Sequence, residues 1–157
     1  MKRTSFAGMH CSVARTLDVV GEWWSLLVLR DAFTGVRRFE DFQRSLGIAR
    51  NILTDRLQTL VEYGVLERRR YQERPERFEY RLTEKGLDLY PVVVSLMRWG
   101  DRWAADETGP PVILTHKACG HEVMPELACP DCGEAVHARA MRFRRTAAAQ
   151  PAATSPA

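Results

Sequence analysis

The residues whose types and spacing most clearly suggest a chemical role lie near the C-terminus, where three of the four cysteines are grouped with histidines. His116 precedes Cys119 by three positions, and Cys129 precedes Cys132 by the same spacing. Two ligands at this spacing can wrap around one metal ion, and imidazole with thiolates is a donor set that binds Zn²⁺. The sequence therefore predicts a tetrahedral zinc site formed by these four residues, with His121 as a competitor for the histidine position.

A glycine follows the second ligand of each pair, at Gly120 and Gly133. Glycine lets backbone amides approach the sulfur atoms, and each half then has the form of a zinc-ribbon knuckle. Four protein ligands leave no open position for water, so the zinc would be structural rather than catalytic. The alternative is a ribbon-shaped vestige that binds no metal, because the substituted ligand weakens affinity.

Basic side chains are concentrated in the middle of the chain. Of the 23 Lys and Arg residues, 11 lie in residues 37–81, together with 8 of the 20 Asp and Glu residues. The candidates for contacts with DNA phosphates or the minor groove are Arg37, Arg38, Arg74 and Arg77. The arginines at 68–70 lie in a predicted strand, where neighbours point to opposite faces, so at most part of that run can touch one ligand. The alternative to a DNA-binding role is that these arginines form an ordinary solvated surface.

A predicted helix from Ala49 to Tyr63 carries the candidates for base recognition. Its apolar stripe consists of Leu53, Leu57, Leu60 and Val61. The polar side carries Arg50, Asn51, Thr54, Asp55 and Gln58, with Ile52 among them. Asn can bond an adenine edge, Arg a guanine edge and Ile a thymine methyl group. Thr54 can reach a phosphate or a base, whereas Asp55 is expected to accept from a cytosine amine or to orient Arg50 or Arg56.

The elements that position these side chains are predicted from the periodicity of the apolar residues. Helices are predicted over 11–20, 24–33 and 39–46, and Gly47 forces a turn before the fourth helix. Strands over 65–71 and 77–83 form a hairpin with a charged tip. Helix, glycine turn, helix and hairpin is the order of a winged helix-turn-helix, whose second helix enters the major groove. Thr83 is expected to cap a last long helix that Pro91 kinks.

The predicted fold class is mainly α (α+β). Residues 1–108 are expected to form the winged helix-turn-helix domain with dimerisation helices, including the long C-terminal one. The Gly-Pro-Pro run at 109–111 marks a boundary, followed by a zinc-ribbon-like module over 112–145 and a tail without a core over 146–157.

Length and composition exclude several classes of protein. The chain has 157 residues and a net charge of +3, too short for a barrel enzyme and without a clear acid/base constellation, so we expect no enzyme. Its apolar runs are far below the roughly 18 residues that cross a bilayer. The basic pair Lys2 and Arg3 has no apolar segment behind it, so no secretory signal and a cytoplasmic location are expected.

Four stretches of the chain resemble the HxlR family of bacterial transcriptional regulators. They are WSLLVLR at 24–30, GVRRF at 35–39, ILTDRL at 52–57 and RPERFEYRLTEKG at 74–86. The resemblance covers about Cys11 to Trp103, and the Tyr-x-Leu-Thr-x-x-Gly part after the wing is the most discriminating. It implies a homodimeric winged-helix protein that binds double-stranded DNA and regulates transcription.

In that family the first and last helices typically form the dimer contact. Suitable apolar residues are present at Val93, Leu96, Met97, Trp99 and Trp103, although they can also pack within one chain. A dimer places two recognition helices about one DNA turn apart, roughly 34 Å, and so predicts an inverted repeat as the operator.

The resemblance also implies a way in which DNA binding is regulated. Some members sense oxidants through a cysteine near the start of the first helix, and Cys11 lies at a matching place. A helix N-terminus favours the thiolate, but a buried cysteine would act only as a small apolar residue. A small-molecule effector is a further expectation. The alternative function is a winged-helix and ribbon module that docks a protein partner and does not bind DNA.

Overall fold

The computed structural model describes residues 6, 8–144 and 146. The chain forms two compact units: the first extends to Tyr90 and the second covers Pro91–Arg144. The elements are α1 (Ser12–Val20), α2 (Trp23–Phe33), α3 (Phe39–Leu46), α4 (Arg50–Glu62), β1 (Leu66–Gln72), β2 (Arg77–Leu82), α5 (Glu84–Leu87), α6 (Tyr90–Trp103) and a 3₁₀ turn (Ala138–Ala140). Mainly helical structure with one two-stranded antiparallel sheet confirms the predicted winged helix-turn-helix. Among the helices that the structure describes, none could span a lipid bilayer.

The core of the first unit surrounds α2, which contacts α1, α3, α4 and β2. A run of apolar residues on most sides of α2 explains this central position, since a helix that is hydrophobic all round must be covered on all sides. The fully buried apolar side chains are Val28, Leu29, Phe42, Leu53, Leu57, Leu60, Val65 and Leu66. They come from α2, α3, α4, the residue before β1 and the start of β1, so the helix-turn-helix and the wing share one core.

The wing is more closely tied to α3 than the sequence indicates. Strands β1 and β2 pair from Leu66 opposite Leu82 to Arg70 opposite Phe78, with a bulge before Gln72. Arg38 forms an isolated bridge with Glu79, and the Tyr80 amide donates to the Arg37 carbonyl over 2.8 Å. The segment before α3 therefore lies along β2 like a third strand, and this fixes the start of α3 against the wing.

The C-terminal end of α4 is capped by residues that follow the wing. The hydroxyl of Thr83 donates to the Gly64 carbonyl at 2.6 Å, and Lys85 Nζ donates to the Tyr63 carbonyl at 2.6 Å. Gly64 itself adopts a left-handed φ of 68°, as is usual just after a helix. A cation at the negative end of the helix dipole is stabilising, so the loop after β2 holds α4 in place.

The predicted long last helix differs from the structure. Thr83 caps it as expected, because its hydroxyl accepts from the Gly86 amide over 3.1 Å. The helix is nevertheless divided at Asp88 and Leu89 into α5 and α6, and Pro91 lies in the first turn of α6. Proline lacks the N–H that would bond the carbonyl of residue 87, and a helix tolerates it only in its first turn. Pro91 therefore starts a new helix instead of kinking a continuous one.

The contacts of the folded chain group α6 with the residues that follow it, in the second unit. The boundary near residue 108 and the module over 112–145 stay predictions. Apart from Thr146, the predicted tail over 146–157 lies outside the described residues.

Candidate functional site

Helix α4 has one buried face and one open face. Leu53, Leu57 and Leu60 are at most 1% exposed. Asn51, Thr54, Asp55 and Gln58 are exposed, and Ile52 is half-buried. The leucines thus anchor the helix from behind while its polar side is accessible to a ligand.

The turn before α4 sets the angle between the two helices of the motif. Gly47 adopts a left-handed φ of 64°, and its amide donates to the Gln43 carbonyl over 2.9 Å. Ile48 follows and is buried, which pins the turn to the core. Ala49 is the N-cap of α4 in an extended conformation and offers no side-chain cap. Because only glycine adopts a positive φ at little cost, Gly47 is the residue that makes this tight connection possible.

Arg50 and Arg38 connect three elements of this surface. The Arg50 guanidinium lies 4.6 Å from the centre of the Phe39 ring, and the Arg38 guanidinium lies 4.8 Å from that of Tyr71. Arg38 and Phe39 are neighbours at the start of α3, and Tyr71 belongs to β1. The start of α4, the start of α3 and the wing are therefore joined by cation–π contacts, which hold the cations without neutralising them.

Two polar residues of α4 are partly engaged within the helix. The Thr54 hydroxyl donates to the Arg50 carbonyl over 2.8 Å, and Gln58 Nε2 donates to Glu62 Oε1 over 2.8 Å. In this arrangement the Thr54 oxygen retains its acceptor capacity, so it suits a base amine better than a phosphate, which offers only acceptors. Asn51 makes no such bond among the described residues and presents its whole amide.

Arg56 is oriented by a different carboxylate from the expected one. It forms an ion pair with Glu22, the N-cap residue of α2, at 3.4 Å, and its side chain is mostly buried. Asp55 is exposed and forms no ion pair within the described part of the chain. The interpretation that Asp55 orients Arg56 is therefore wrong, because Arg56 points into the first unit.

The arginines chosen from the sequence for DNA contacts keep their charges free. In the part of the chain that the structure describes, no carboxylate oxygen lies within 4.0 Å of the side-chain nitrogens of these exposed residues: Arg37, Arg38, Arg50, Arg74 and Arg77. A cation without an acidic neighbour loses no existing partner when it meets a phosphate. Gln72 Nε2 donates to the Arg74 carbonyl at 3.0 Å and so helps to hold the wing tip.

The other arginines of the wing are already engaged. Arg69 pairs with Glu67 at 2.6 Å, and Arg81 pairs with Glu79 at 2.7 Å. Arg70 lies 3.5 Å from Glu76 and 3.9 Å from Glu73, and Arg68 stacks 3.5 Å from the centre of the Phe78 ring. The wing therefore offers its free charges at the tip rather than along the strands.

A helix-turn-helix with an open polar face, followed by a wing, is matched by a family model. The model for the HxlR-like helix-turn-helix covers residues 19–108. The chain belongs to the HxlR-like helix-turn-helix family. It is a transcriptional regulator of the helix-turn-helix type, and the matched region includes α2 to α6.

Relatives of this chain carry corresponding names. An uncharacterised HTH-type transcriptional regulator of Mycobacterium tuberculosis (strain ATCC 25618 / H37Rv) is 52% identical over 128 residues, which are 82% of this chain and 81% of the relative. The uncharacterised HTH-type transcriptional regulator YdeP of Bacillus subtilis (strain 168) is 35% identical over 94 residues, which are 59% of this chain and 73% of the relative. These relatives are named as regulators and not as enzymes.

Solved structures extend the comparison. The crystal structure of PA1607 matches with a TM-score of 0.76 and 41% identity, over 87% of this chain and 95% of that one. The redox regulator HypR in its oxidised form matches with a TM-score of 0.55 and 35% identity, over 59% of this chain and 96% of that one. The likeness to PA1607 thus continues beyond the region that HypR matches.

In this HxlR-like protein, Cys11 lies at the N-cap of α1 with an exposed side chain. Its carbonyl accepts from the Arg15 amide at 3.1 Å, so the residue is fixed to the first turn of the helix. Within the single chain, Cys11 is therefore accessible and not part of the core. His10 beside it is also exposed.

The second unit contains two short hairpins that carry the predicted zinc ligands. In the first, the His116 amide donates to the His121 carbonyl and the Gly120 amide to the His116 carbonyl, over 2.9 and 2.8 Å. His116 Nδ1 lies 3.2 Å from Cys119 Sγ. The first hairpin therefore brings His116, and not His121, to the cysteine.

The second hairpin holds Cys129 and Cys132, both as free thiols. Hydrogen bonds from the Cys132 and Asp131 amides, and from the Cys132 side chain, lower the pKa of the Cys129 thiol. Within the described residues no three His, Cys, Asp or Glu side chains are gathered around one point that could hold a metal ion. The structure therefore shows two donor pairs, one on each hairpin.

Proposed function

We propose that the chain acts as a homodimer that binds an inverted-repeat operator through α4. The observation that carries the proposal is the division of α4 into a buried leucine face and an exposed polar face. In the major groove, Asn51 bonds an adenine edge and Arg50 a guanine edge, while Thr54 and Asp55 accept from base amines. Such contacts specify the sequence, whereas phosphate contacts position the protein without reading it.

Affinity is supplied by the free arginines around α4. Arg37 and Arg38 precede α3 and contact phosphates, while Arg74 and Arg77 at the wing tip reach phosphates or the minor groove. Support comes from the contrast with the paired arginines of the wing strands, which would have to break ion pairs before they bound DNA.

The dimer uses exposed apolar residues of α1 and α6. Leu96, Trp99 and Trp103 of α6 are 51%, 63% and 66% exposed, and Val13 and Leu17 of α1 are exposed as well. Large apolar side chains left in water on two helices favour a protein interface. A two-fold symmetric dimer presents two α4 helices about 34 Å apart and therefore requires a palindromic site.

Selection of bound fragments from random DNA with the purified full-length protein tests this proposal. We expect an inverted repeat with half-site centres about 10–10.5 base pairs apart, and a dimer mass by light scattering. Recovery of no enriched sequence, together with partner binding that responds weakly to salt, would instead support a protein-docking module.

The dimer interface is tested by a charge placed on α6. Leu96→Glu should shift the protein towards the monomer and weaken operator binding, because the glutamate must be desolvated in the interface. Ile113→Glu is the matched control, since Ile113 is equally apolar and exposed but lies outside α1 and α6. A dimer that survives Leu96→Glu unchanged would contradict this assignment of the interface.

Oxidation of Cys11 regulates binding in this proposal. The exposed thiolate attacks a peroxide, the S–O bond forms as the O–O bond breaks, and the leaving hydroxide takes up a proton to give water and a sulfenic acid. Hydrogen peroxide should release the wild-type protein from DNA, and a Cys11→Ser variant that is released equally would exclude Cys11 as the sensor.

A further inference from the structure

The two hairpins of the second unit are copies of one another. The backbone hydrogen bonds of the first hairpin recur thirteen positions later in the second, at nearly the same lengths. The hydrogen bond from the His116 amide to the His121 carbonyl matches the one from the Cys129 amide to the Glu134 carbonyl. The bond from the Gly120 amide to the His116 carbonyl matches the one from Gly133 to Cys129. The bond from the Val123 amide to the Leu114 carbonyl matches the one from Val136 to Leu127. The bridge between Thr115 and Glu122 likewise recurs between Ala128 and Ala135. The repeat is a property of the backbone, since few of the side chains are the same.

This correspondence separates the two candidate histidines. His116 occupies the position of Cys129, and Cys119 occupies the position of Cys132. His121 occupies the position of Glu134, on the far side of the turn. A ligand position should recur in both copies, so His116 fits the pattern and His121 does not.

The geometry of the first pair suits a zinc ion. Zinc binds histidine nitrogen at about 2.0–2.1 Å and cysteine sulfur at about 2.3 Å in a tetrahedron, which separates the two donor atoms by roughly 3.5 Å. His116 Nδ1 and Cys119 Sγ lie 3.2 Å apart, close to that separation. In both hairpins the glycine after the cysteine has a left-handed φ, 72° at Gly120 and 75° at Gly133, which leaves its amide directed into the turn.

The second unit has almost no apolar core of its own. Of residues 91–144, all of which the structure describes, Val94 is the single buried residue. A unit of this size without an apolar core usually needs a disulfide, a metal or an oligomeric partner. Its three cysteines are free thiols, which keeps them available as metal ligands.

We propose that His116, Cys119, Cys129 and Cys132 bind one zinc ion, with each hairpin contributing two donors. Neither pair alone makes a closed site, so the ion itself joins the hairpins and supplies stability that the unit's side chains do not. The ion is structural, because its four protein ligands leave no position for a substrate. This inference is independent of the DNA-binding proposal.

The test uses the full-length chain without a polyhistidine tag, purified without chelators. Elemental analysis should find about one zinc ion per chain. Replacement by Co²⁺ should give the visible absorption of a tetrahedral site and a thiolate-to-cobalt charge-transfer band. A zinc content well below one per chain, or a Cys129–Cys132 disulfide found by mass spectrometry in protein kept under reducing conditions, would overturn the proposal.

Two pairs of variants identify the ligands. His116→Ala and Cys132→Ser should lose zinc, whereas the matched controls His121→Ala and Cys11→Ser should retain it. Loss of even an outer hydrogen-bond partner lowers metal affinity roughly 10–100-fold, so loss of a ligand should weaken zinc binding by at least that factor in competition with a chelator. Loss of zinc in His121→Ala but not in His116→Ala would contradict the ligand set derived from the repeat.

Folding and DNA binding are measured in the same variants. His116→Ala should keep the helical circular dichroism of the first unit, while residues 112–144 become more sensitive to protease. If the wild type and the control variants contain a full zinc ion and still do not bind the operator, that result contradicts the DNA-binding proposal and not the zinc site.

Discussion

Replacing Arg74 by glutamine should make DNA binding less sensitive to salt. Arg74 lies at the exposed wing tip, and no described carboxylate is close enough to pair with it. Each phosphate that an arginine neutralises releases condensed counterions, so the logarithm of affinity falls with the logarithm of salt concentration by about 0.9 per contact. Arg74→Gln removes one such contact from each protomer.

The size of the effect follows from the number of free arginines. Arg37, Arg38, Arg74 and Arg77 give about eight phosphate contacts in a dimer and a slope of about −7. Between about 50 and 200 mM salt, the affinity of the wild type should then fall about 2 × 10⁴-fold. With about six contacts left, the slope becomes about −5.4 and the fall is about 2 × 10³-fold.

Fluorescence anisotropy with the selected operator and with a scrambled duplex measures both slopes. Arg74→Gln should lower affinity for the two duplexes alike, because phosphate contacts do not distinguish bases. Arg69→Gln is the matched control: it removes the same charge, but Arg69 is already paired with Glu67 at 2.6 Å. Equal slopes for the two variants would refute the reasoning, since net charge and not contact would then set the salt dependence.

Three further predictions concern recognition and stability. Asn51→Ala should relax the preference at one base pair per half-site and cost about 1–3 kcal/mol in operator binding, measured with single-base operator variants; an unchanged preference would contradict the placement of α4. Leu57→Ala should lower the free energy of unfolding by about 2–5 kcal/mol in urea titrations, because its side chain is 1% exposed; a loss below 0.5 kcal/mol, the usual scale of surface substitutions, would count against the core. Gly86→Ala should lower it by about 1–3 kcal/mol, because the added Cβ would lie 2.2 Å from the Val65 carbonyl oxygen. Gly100→Ala is the matched control: nothing lies within 4 Å of its added Cβ, so it should raise the free energy of unfolding by up to about 1 kcal/mol. Equal effects of the two substitutions would contradict the close packing of Gly86 against Val65.

Much of the helix-turn-helix is predictable from local patterns. The bounds of α3 agree with the 39–46 prediction, and Gly47 and Gly64 end helices where the sequence places them. The spacing of Leu53, Leu57 and Leu60 also gives the buried face of α4 correctly. These features depend on residues within about one helical turn of each other, so the local sequence is enough to predict the helix ends and the buried face.

Other features depend on residues that are distant in the sequence. The bridge from Arg38 to Glu79 and the pairing of Arg56 with Glu22 have no local signal. The division of the last helix at Asp88 and Leu89 differs from the predicted kink, although Pro91 is the residue responsible in both cases. Its position allowed either a kink or a new helix start, and the hydrogen bonds of the folded chain select the second.

The sequence by itself determined that a polar helix face and two cysteine-containing knuckles would exist, because periodicity and spacing fix which side chains share a face or a turn. Only the tertiary structure decided which charges are free. Among the described residues, Arg74 at the wing tip has no carboxylate partner, whereas Arg69 is paired with Glu67 at 2.6 Å. The same holds for His116 and His121, since only the folded turn brings one of them to Cys119. An electrostatic or metal-binding role depends on distances of a few ångströms between side chains, and folding sets those distances.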